Sequence, residues 1–319
     1  MNGKRPVILI GQPLLAPLLP LLQPRYEALP LWEEDGARRR AEAQAIIWAG
    51  EFTLPPALIG AMPQLGLVAC FTVGYDGVDL ELARQRGIAV THGADANAED
   101  VADHAIGLML AHRRWIVEGD RQLRAGLWTP ESKTRTRSMG GARLGIVGMG
   151  HIGLAVARRA EMMRMRIHWS GPRDKPGVPW PRVESLEAMA RDSDILLISA
   201  RADESNRGMI DTDVMNALGP EGLLVNVARG QLVDEEALRN ALREGRLGGA
   251  ALDVFEQEPT PASLWTDVPN CVLTPHIGGA THEAVGRMAQ MLLANLEAFF
   301  AGRPLLSPVR HQPMPSAEG

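Results

Sequence analysis

The chain of 319 residues is short of cysteine, lacks long apolar runs and carries no basic excess. Its two cysteines, Cys70 and Cys271, lie far apart inside the apolar segments "LVACF" and "NCVLT". Such settings read as buried free thiols of a reducing compartment rather than a disulfide. A formal net charge of -5 argues against a nucleic-acid surface. The short basic stretch Lys133–Arg137 ("KTRTR") reads as a solvated loop, not a phosphate-binding stripe. No segment approaches the roughly 18 uninterrupted apolar residues of a membrane span. The N-terminus "MNGKRPVILIGQ" lacks the apolar stretch and small-residue cleavage site of a signal peptide. Together these absences point to a soluble cytoplasmic protein with neither nucleic acid nor membrane as partner. One more absence is local. About twenty residues past a glycine-rich turn, dinucleotide-binding folds that take NAD carry a carboxylate. This chain has Ser170, Gly171, Pro172 and Arg173 there.

What is present is ordinary globular material, 45% hydrophobic and 22% charged, in a length that suggests two domains. Four apolar runs, "PVILI", "AIIWA", "LGLVACF" and "GIAVT", punctuate the first ninety or so residues. Helix-compatible or turn-rich segments separate them, the signature of parallel βαβ units. Residues Glu99–Glu118 form one long amphipathic pattern with acids at its start, as a helix N-terminus favours. A polar arm, Gly119–Gly141, follows. A second alternation then brings six runs: "ARLGIVG", "MRIHWS", "DILLIS", "GLLVNVA", "GGAALDV" and "CVLTP". Six strands fit a doubly wound sheet of two βαβαβ halves. Asp234 is placed to cap the helix "DEEALRNALREG". A long helix is expected over Thr281–Gly302, and the tail "QPMPSAEG" reads as disordered. The expected architecture is α/β with two Rossmann-like doubly wound domains. Residues 1–98 and 284–319 form a discontinuous substrate-binding domain, and 99–283 the dinucleotide-binding domain.

In "VGMGHIG" the glycines are Gly148, Gly150 and Gly153, between an apolar strand and the helix "LAVARRAEMM". Each has a mechanical part: the tight turn, the close approach of backbone to a pyrophosphate, and close helix–strand packing. The helix N-terminus then presents free N–H groups to the phosphates. Four polar residues stand where later strands end: Arg229, Asp253, Glu258 and His276. In open α/β sheets the ligand crevice lies at that edge. Reducing a ketone by hydride requires a proton donor for the new alkoxide, and a histidine suits this near neutral pH. A neighbouring carboxylate orients it, and an arginine grips a substrate carboxylate and polarises the carbonyl. His92, His104, His112 and His168 lack a comparable context and read as surface or packing residues.

These motifs, "VGMGHIG", "VNVARG", "LDVFEQEP" and "TPHIGGAT", occur in an order and spacing that resemble the D-isomer-specific 2-hydroxyacid dehydrogenases. The resemblance covers nearly the whole chain. It implies a catalytic trio of Arg229, Glu258 and His276, and cofactor contacts at His151, Ile152, Ala228 and Gly278 besides the glycines. It implies further that Asp253 and His276 border the nicotinamide. Val73 and Gly74, in "FTVGYDGVDL", would hold the substrate carboxylate through their N–H groups, and a homodimer would form through the cofactor domain. "DVADHAIGLMLA" and "EGRLGGAALDVFEQEP" are similar to glyoxylate/hydroxypyruvate reductases, the hydroxyphenylpyruvate type especially. The "WAGEF" loop (Trp48–Phe52), Tyr75 and a partner arm around Trp128 would close over the substrate. Phosphite and formate dehydrogenases share the fold, but the formate type replaces the glutamate with glutamine, against Glu258. A nucleotide-sensing regulator without turnover is the remaining alternative, and the complete trio weighs against it.

The missing acid bears on the cofactor. A carboxylate near the ribose would repel a 2′-phosphate, and its absence removes that discrimination. Ser170 and Arg173 offer a hydroxyl and a cation instead. Arg201 stands in the next strand-end loop, where relatives usually have proline, and could add a second cation. NADP(H) is therefore the expected cofactor, with NAD(H) a possible substitute.

Overall fold

The computed structural model describes residues 5–132 and 134–309. The tail "QPMPSAEG", Lys133 of the basic stretch and the first four residues of the N-terminal segment lie outside the described residues. The chain separates into two compact units. One runs to Asn97 and resumes at His282, and the other is Ala98–Thr281.

The first unit holds a parallel sheet of β1 (Val7–Ile10), β2 (Glu27–Pro30), β3 (Ala45–Trp48), β4 (Leu67–Cys70) and β5 (Ala89–Thr91). The strand order is β2-β1-β3-β4-β5. Strands β1, β3 and β4 are buried along their whole length. Continuous apolar runs are what a parallel sheet covered on both faces requires. Strand β2 was not expected. Its sequence "EALP" alternates half-buried and buried residues and ends in proline, which only an edge strand tolerates. The last helix, His282–Phe300, packs Leu292 and Leu296 against Ile8, Ile10 and Ile47 of this sheet.

The second unit contains the six expected strands: β6 (Arg143–Val147), β7 (Arg166–Ser170), β8 (Ile195–Ile198), β9 (Leu223–Asn226), β10 (Gly249–Leu252) and β11 (Cys271–Leu273). All are parallel, in the order β11-β10-β9-β8-β6-β7. Leu144, Ile146, Leu197 and Val225 enter one core, while Val147, Leu196, Ile198 and Leu224 enter the other. Successive side chains point to opposite faces of a strand, so this sheet is covered on both sides. Its order reverses between β6 and β8, the switch point where such sheets open a crevice at their carboxyl ends. The two halves are uneven, against the expectation of two βαβαβ units. Beyond β7 there is only a stub, an isolated parallel bridge between Trp169 and Arg182.

The helix expected over Glu99–Glu118 is two helices, Ala98–Arg113 and Ile116–Arg124. They are separated at Trp115, whose φ of 57° is left-handed. A single residue in that conformation ends a right-handed helix. The second helix occupies the start of the presumed polar arm and buries none of its side chains. Arg137 of the basic stretch pairs with Glu221. Both cysteines are free, and burial pushes both thiols up to about 12. Among the described residues no helix is long and apolar enough to cross a membrane.

Candidate active site

The turn after β6 divides its work among three glycines. Gly148 has φ 93°, and a side chain there would sit 2.5 Å from the Ala200 backbone. A side chain at Gly153 would strike the Gly148 carbonyl oxygen, so the helix His151–Met162 starts hard against the strand. At Gly150 a side chain would meet nothing within 4 Å. The middle glycine therefore faces open space, as close approach by a pyrophosphate demands, and the residues fit a dinucleotide. Ser199, beyond β8, holds the turn by donating to the Gly148 carbonyl at 2.7 Å.

Strand β7 ends at half-buried Ser170, followed by exposed Arg173. Asp174, the next carboxylate, is engaged by Arg182 at 2.8 Å. Lys175, which no sequence pattern singles out, donates from Nζ to the Met149 carbonyl at 2.6 Å, across the glycine turn. Arg201 follows β8 and is exposed; its carbonyl accepts from the Asn206 amide at 2.9 Å.

The catalytic candidates follow β9, β10 and β11. Buried Asn226 at the end of β9 accepts the Ala228 N–H at 3.0 Å and donates to the Arg229 carbonyl at 2.9 Å, which fixes the turn bearing Arg229. A side chain at Gly230 would strike the Phe255 backbone, so the loops after β9 and β10 lie in contact. Glu258 accepts the Phe255 N–H at 2.9 Å with Oε1. Its Oε2 lies 2.6 Å from His276 Nδ1. An acceptor there puts the proton on Nδ1 and leaves Nε2 of His276 for chemistry. The Glu258 hydrogen bond raises the His276 pKa above its ordinary value, with burial opposing. Burial alone would raise the Glu258 pKa, but the bonds from His276 and the Phe255 N–H, with the charge of Arg229, hold it lower. His276 itself has φ 53°.

That backbone is held by Asp253, which is 2% exposed. Its Oδ1 accepts from the Thr274 hydroxyl at 2.6 Å and the Ile277 N–H at 3.0 Å, and its Oδ2 from the Gly278 N–H at 2.8 Å. His104 Nε2 lies 3.2 Å from Asp253 Oδ1 and 2.9 Å from Thr274 Oγ1. Asp253 thus braces the loop that carries His276, a part the sequence did not show, and His104 is no mere surface or packing residue. His112 and His168 do sit in packed settings, where burial lowers both pKa values.

In the first unit Val73 and Gly74 lie in the loop after β4. The Val73 carbonyl accepts from His92 Nδ1 at 2.9 Å, and the Gly74 carbonyl lies 3.0 Å from the Thr72 hydroxyl. The N–H groups of these two residues make no hydrogen bond among the described residues. The His92 ring packs edge-on against Tyr75 with centroids 4.9 Å apart. His92 is therefore a brace of this loop, another part missing from its reading as a packing residue.

Residues 106–278 match the family described as "D-isomer specific 2-hydroxyacid dehydrogenase, NAD binding domain". The glyoxylate/hydroxypyruvate reductase A HPR2 of Arabidopsis thaliana is 40% identical, over 90% of this chain and 94% of that protein. The hydroxyphenylpyruvate reductase of Plectranthus scutellarioides is 41% identical, over 89% and 91%. Among solved structures, the NADPH-dependent glyoxylate/hydroxypyruvate reductase of Sinorhizobium meliloti, in complex with NADP and malonate, superposes with a TM-score of 0.87 at 36% identity, covering 98% of this chain and 100% of that one. The chain belongs to the D-isomer specific 2-hydroxyacid dehydrogenase family. It is an oxidoreductase of two Rossmann-like domains that uses a nicotinamide cofactor.

Proposed function

We propose that the chain is an NADPH-preferring reductase of small 2-oxo acids, glyoxylate and hydroxypyruvate among them, yielding D-2-hydroxy acids. The observation that carries this reading is the Glu258–His276 pair, held at the carboxyl edge of the cofactor-binding sheet with His276 Nε2 left unengaged by Glu258. When bound, the nicotinamide supplies a hydride to the carbonyl carbon. His276 holds the proton that the developing alkoxide takes, and Glu258 fixes the ring's orientation and favours its charged form. Arg229 grips the substrate carboxylate and polarises the adjacent carbonyl. Val73 and Gly74 offer two N–H groups for holding a substrate carboxylate. Asp253 keeps the His276 loop in place beside the nicotinamide, and Ala228, His151, Ile152 and Gly278 border the cofactor. The test is a panel of glyoxylate, hydroxypyruvate, pyruvate and phenylpyruvate-type acids with both reduced cofactors, followed by nicotinamide absorbance. Failure to oxidise NADPH with any of them would overturn the reading.

Preference for NADPH is supported by what surrounds the end of β7. Asp174, the next carboxylate after Ser170, is tied to Arg182. Arg173 is exposed, and Lys175 crosses the glycine turn. Both are cations for a 2′-phosphate, with Arg201 from the adjacent loop. Arg173→Ala should raise the KM for NADPH about tenfold, within the 1–3 kcal/mol of a charge-assisted bond, and change that for NADH little. NAD(H) then serves as the weaker substitute. A parent enzyme that favours NADH would return Ser170 and Arg173 to ordinary turn residues.

A homodimer through the cofactor domain and a cytoplasmic setting belong to the same proposal. Trp115, Ile116, Val117, Leu123, Leu127 and Trp128 are all exposed within one stretch of that unit. Several large apolar side chains exposed in one segment are what a partner subunit would cover. Light scattering should give twice the 34.6 kDa chain mass, and Leu123→Arg should shift it towards one.

A further inference from the structure

Strands β3 and β4 are neighbours, paired from Ala45↔Leu67 to Trp48↔Cys70, so the loops that follow them emerge side by side. Gly50 lets those loops touch, because a side chain there would strike the Gly74 carbonyl. The Gly77 N–H donates to the Gly50 carbonyl at 2.8 Å, and the Gly50 N–H to the Thr72 hydroxyl at 2.9 Å. That hydroxyl has one proton and two acceptors in range: Glu51 Oε2 at 2.6 Å and the Gly74 carbonyl at 3.0 Å. The shorter, charge-assisted bond to the carboxylate is the stronger. Thr72 therefore pins the exposed carboxylate of Glu51 beside the loop whose next two residues are Val73 and Gly74. Glu51 Oε1 has no hydrogen-bond partner among the described residues.

We propose that Glu51 is a specificity-determining residue that selects 2-oxo acids with a hydroxyl near the carbonyl and rejects 2-oxo dicarboxylates. The inference rests on the reading that Val73 and Gly74 hold the substrate carboxylate. Two N–H donors complement one carboxylate. A carboxylate on the same rim is an acceptor and never a donor. It complements a hydroxyl and repels a second anion, which is how discrimination against a near-isostere is built. The Thr72 hydroxyl that holds Glu51 Oε2 at 2.6 Å is also 3.0 Å from the Gly74 carbonyl, so the Glu51 carboxylate stands on the same rim as these N–H groups, within reach of a small acid held there. Pyruvate gains nothing there, hydroxypyruvate gains a hydrogen bond, and oxaloacetate meets a like charge.

The experiment compares kcat/KM for hydroxypyruvate, pyruvate and oxaloacetate, with saturating reduced cofactor, in the parent, Glu51→Gln and Glu51→Ala enzymes. Glu51→Gln should raise oxaloacetate relative to hydroxypyruvate about tenfold, since it removes a close like charge while keeping shape. Glu51→Ala should lower hydroxypyruvate relative to pyruvate by about the same factor, the worth of one hydrogen bond to a charged group, with the change in KM rather than kcat. Thr72→Val, which unpins the carboxylate without removing its charge, should narrow the hydroxypyruvate preference. Unchanged ratios in both Glu51 variants overturn the role of Glu51 and leave the reductase reading intact. A parent enzyme that reduces none of the three, nor glyoxylate, overturns that reading and this inference with it.

Discussion

His276→Ala is expected to lower kcat for 2-oxo acid reduction by at least the roughly 10²–10⁴ typical of a lost general acid, while NADPH still binds. The expectation rests on a histidine whose Nδ1 is committed to Glu258 at 2.6 Å, which leaves Nε2 as the only ring nitrogen able to pass a proton to substrate. The pH dependence carries the same argument. Reduction needs His276 protonated, and the Glu258 hydrogen bond raises its pKa above the ordinary value of about 6.5. Activity should therefore persist above that value and fall as pH rises through the raised pKa. Glu258→Gln keeps a hydrogen-bond acceptor but removes the charge, so the falling limb should move down by about one pH unit or more. Titration of kcat/KM against pH in both proteins reads this directly. Near-normal turnover in His276→Ala, or an unmoved limb in Glu258→Gln, would remove the pair from the reaction.

Arg229→Lys comes next in size. The turn that carries Arg229 is built around buried Asn226, and the guanidinium already spends one donor, Nη1, on the Ala228 carbonyl at 2.8 Å. A planar guanidinium meets a carboxylate in two places, whereas an ammonium on a shorter, freer stem offers one compact charge. Turnover should fall about 10²-fold, the scale of losing one preorganised donor to a developing oxyanion, and KM for the 2-oxo acid should rise as well. Steady-state kinetics with glyoxylate or hydroxypyruvate, alongside NADPH affinity measured by fluorescence, separates the outcomes. A change confined to NADPH affinity would make Arg229 a cofactor residue.

Legibility followed the physics of each feature. Strands β1, β3, β4, β8, β9 and β10 could be read because a parallel sheet covered on both faces needs continuous apolar runs, and such runs stand out. Strand β2 was hidden because an edge strand needs no such run. The break at Trp115 was hidden because amphipathic spacing continues across it while the backbone does not. In the site, Gly148, Gly150, Gly153, Arg229, Glu258 and His276 could be named because each follows a strand or opens a helix at a recognisable offset. The braces could not. His104 and Thr274 are 170 residues apart, as are no two members of any motif, and His92 meets Val73 only because β4 and β5 are paired.

By itself, then, the sequence determined the α/β alternation and the glycine turn, and it singled out His276, Glu258 and Arg229 as candidates, because those follow from local periodicity and from chemistry at strand ends. The tertiary structure alone decided the uneven strand order of the second sheet, the four-sided burial of Asp253 beneath the His276 loop, the reach of Lys175 across the glycine turn and the pinning of Glu51 by Thr72. Each of these depends on which strands become neighbours and how closely their loops approach. Those distances are set by packing between residues far apart in the chain, and no local pattern encodes them.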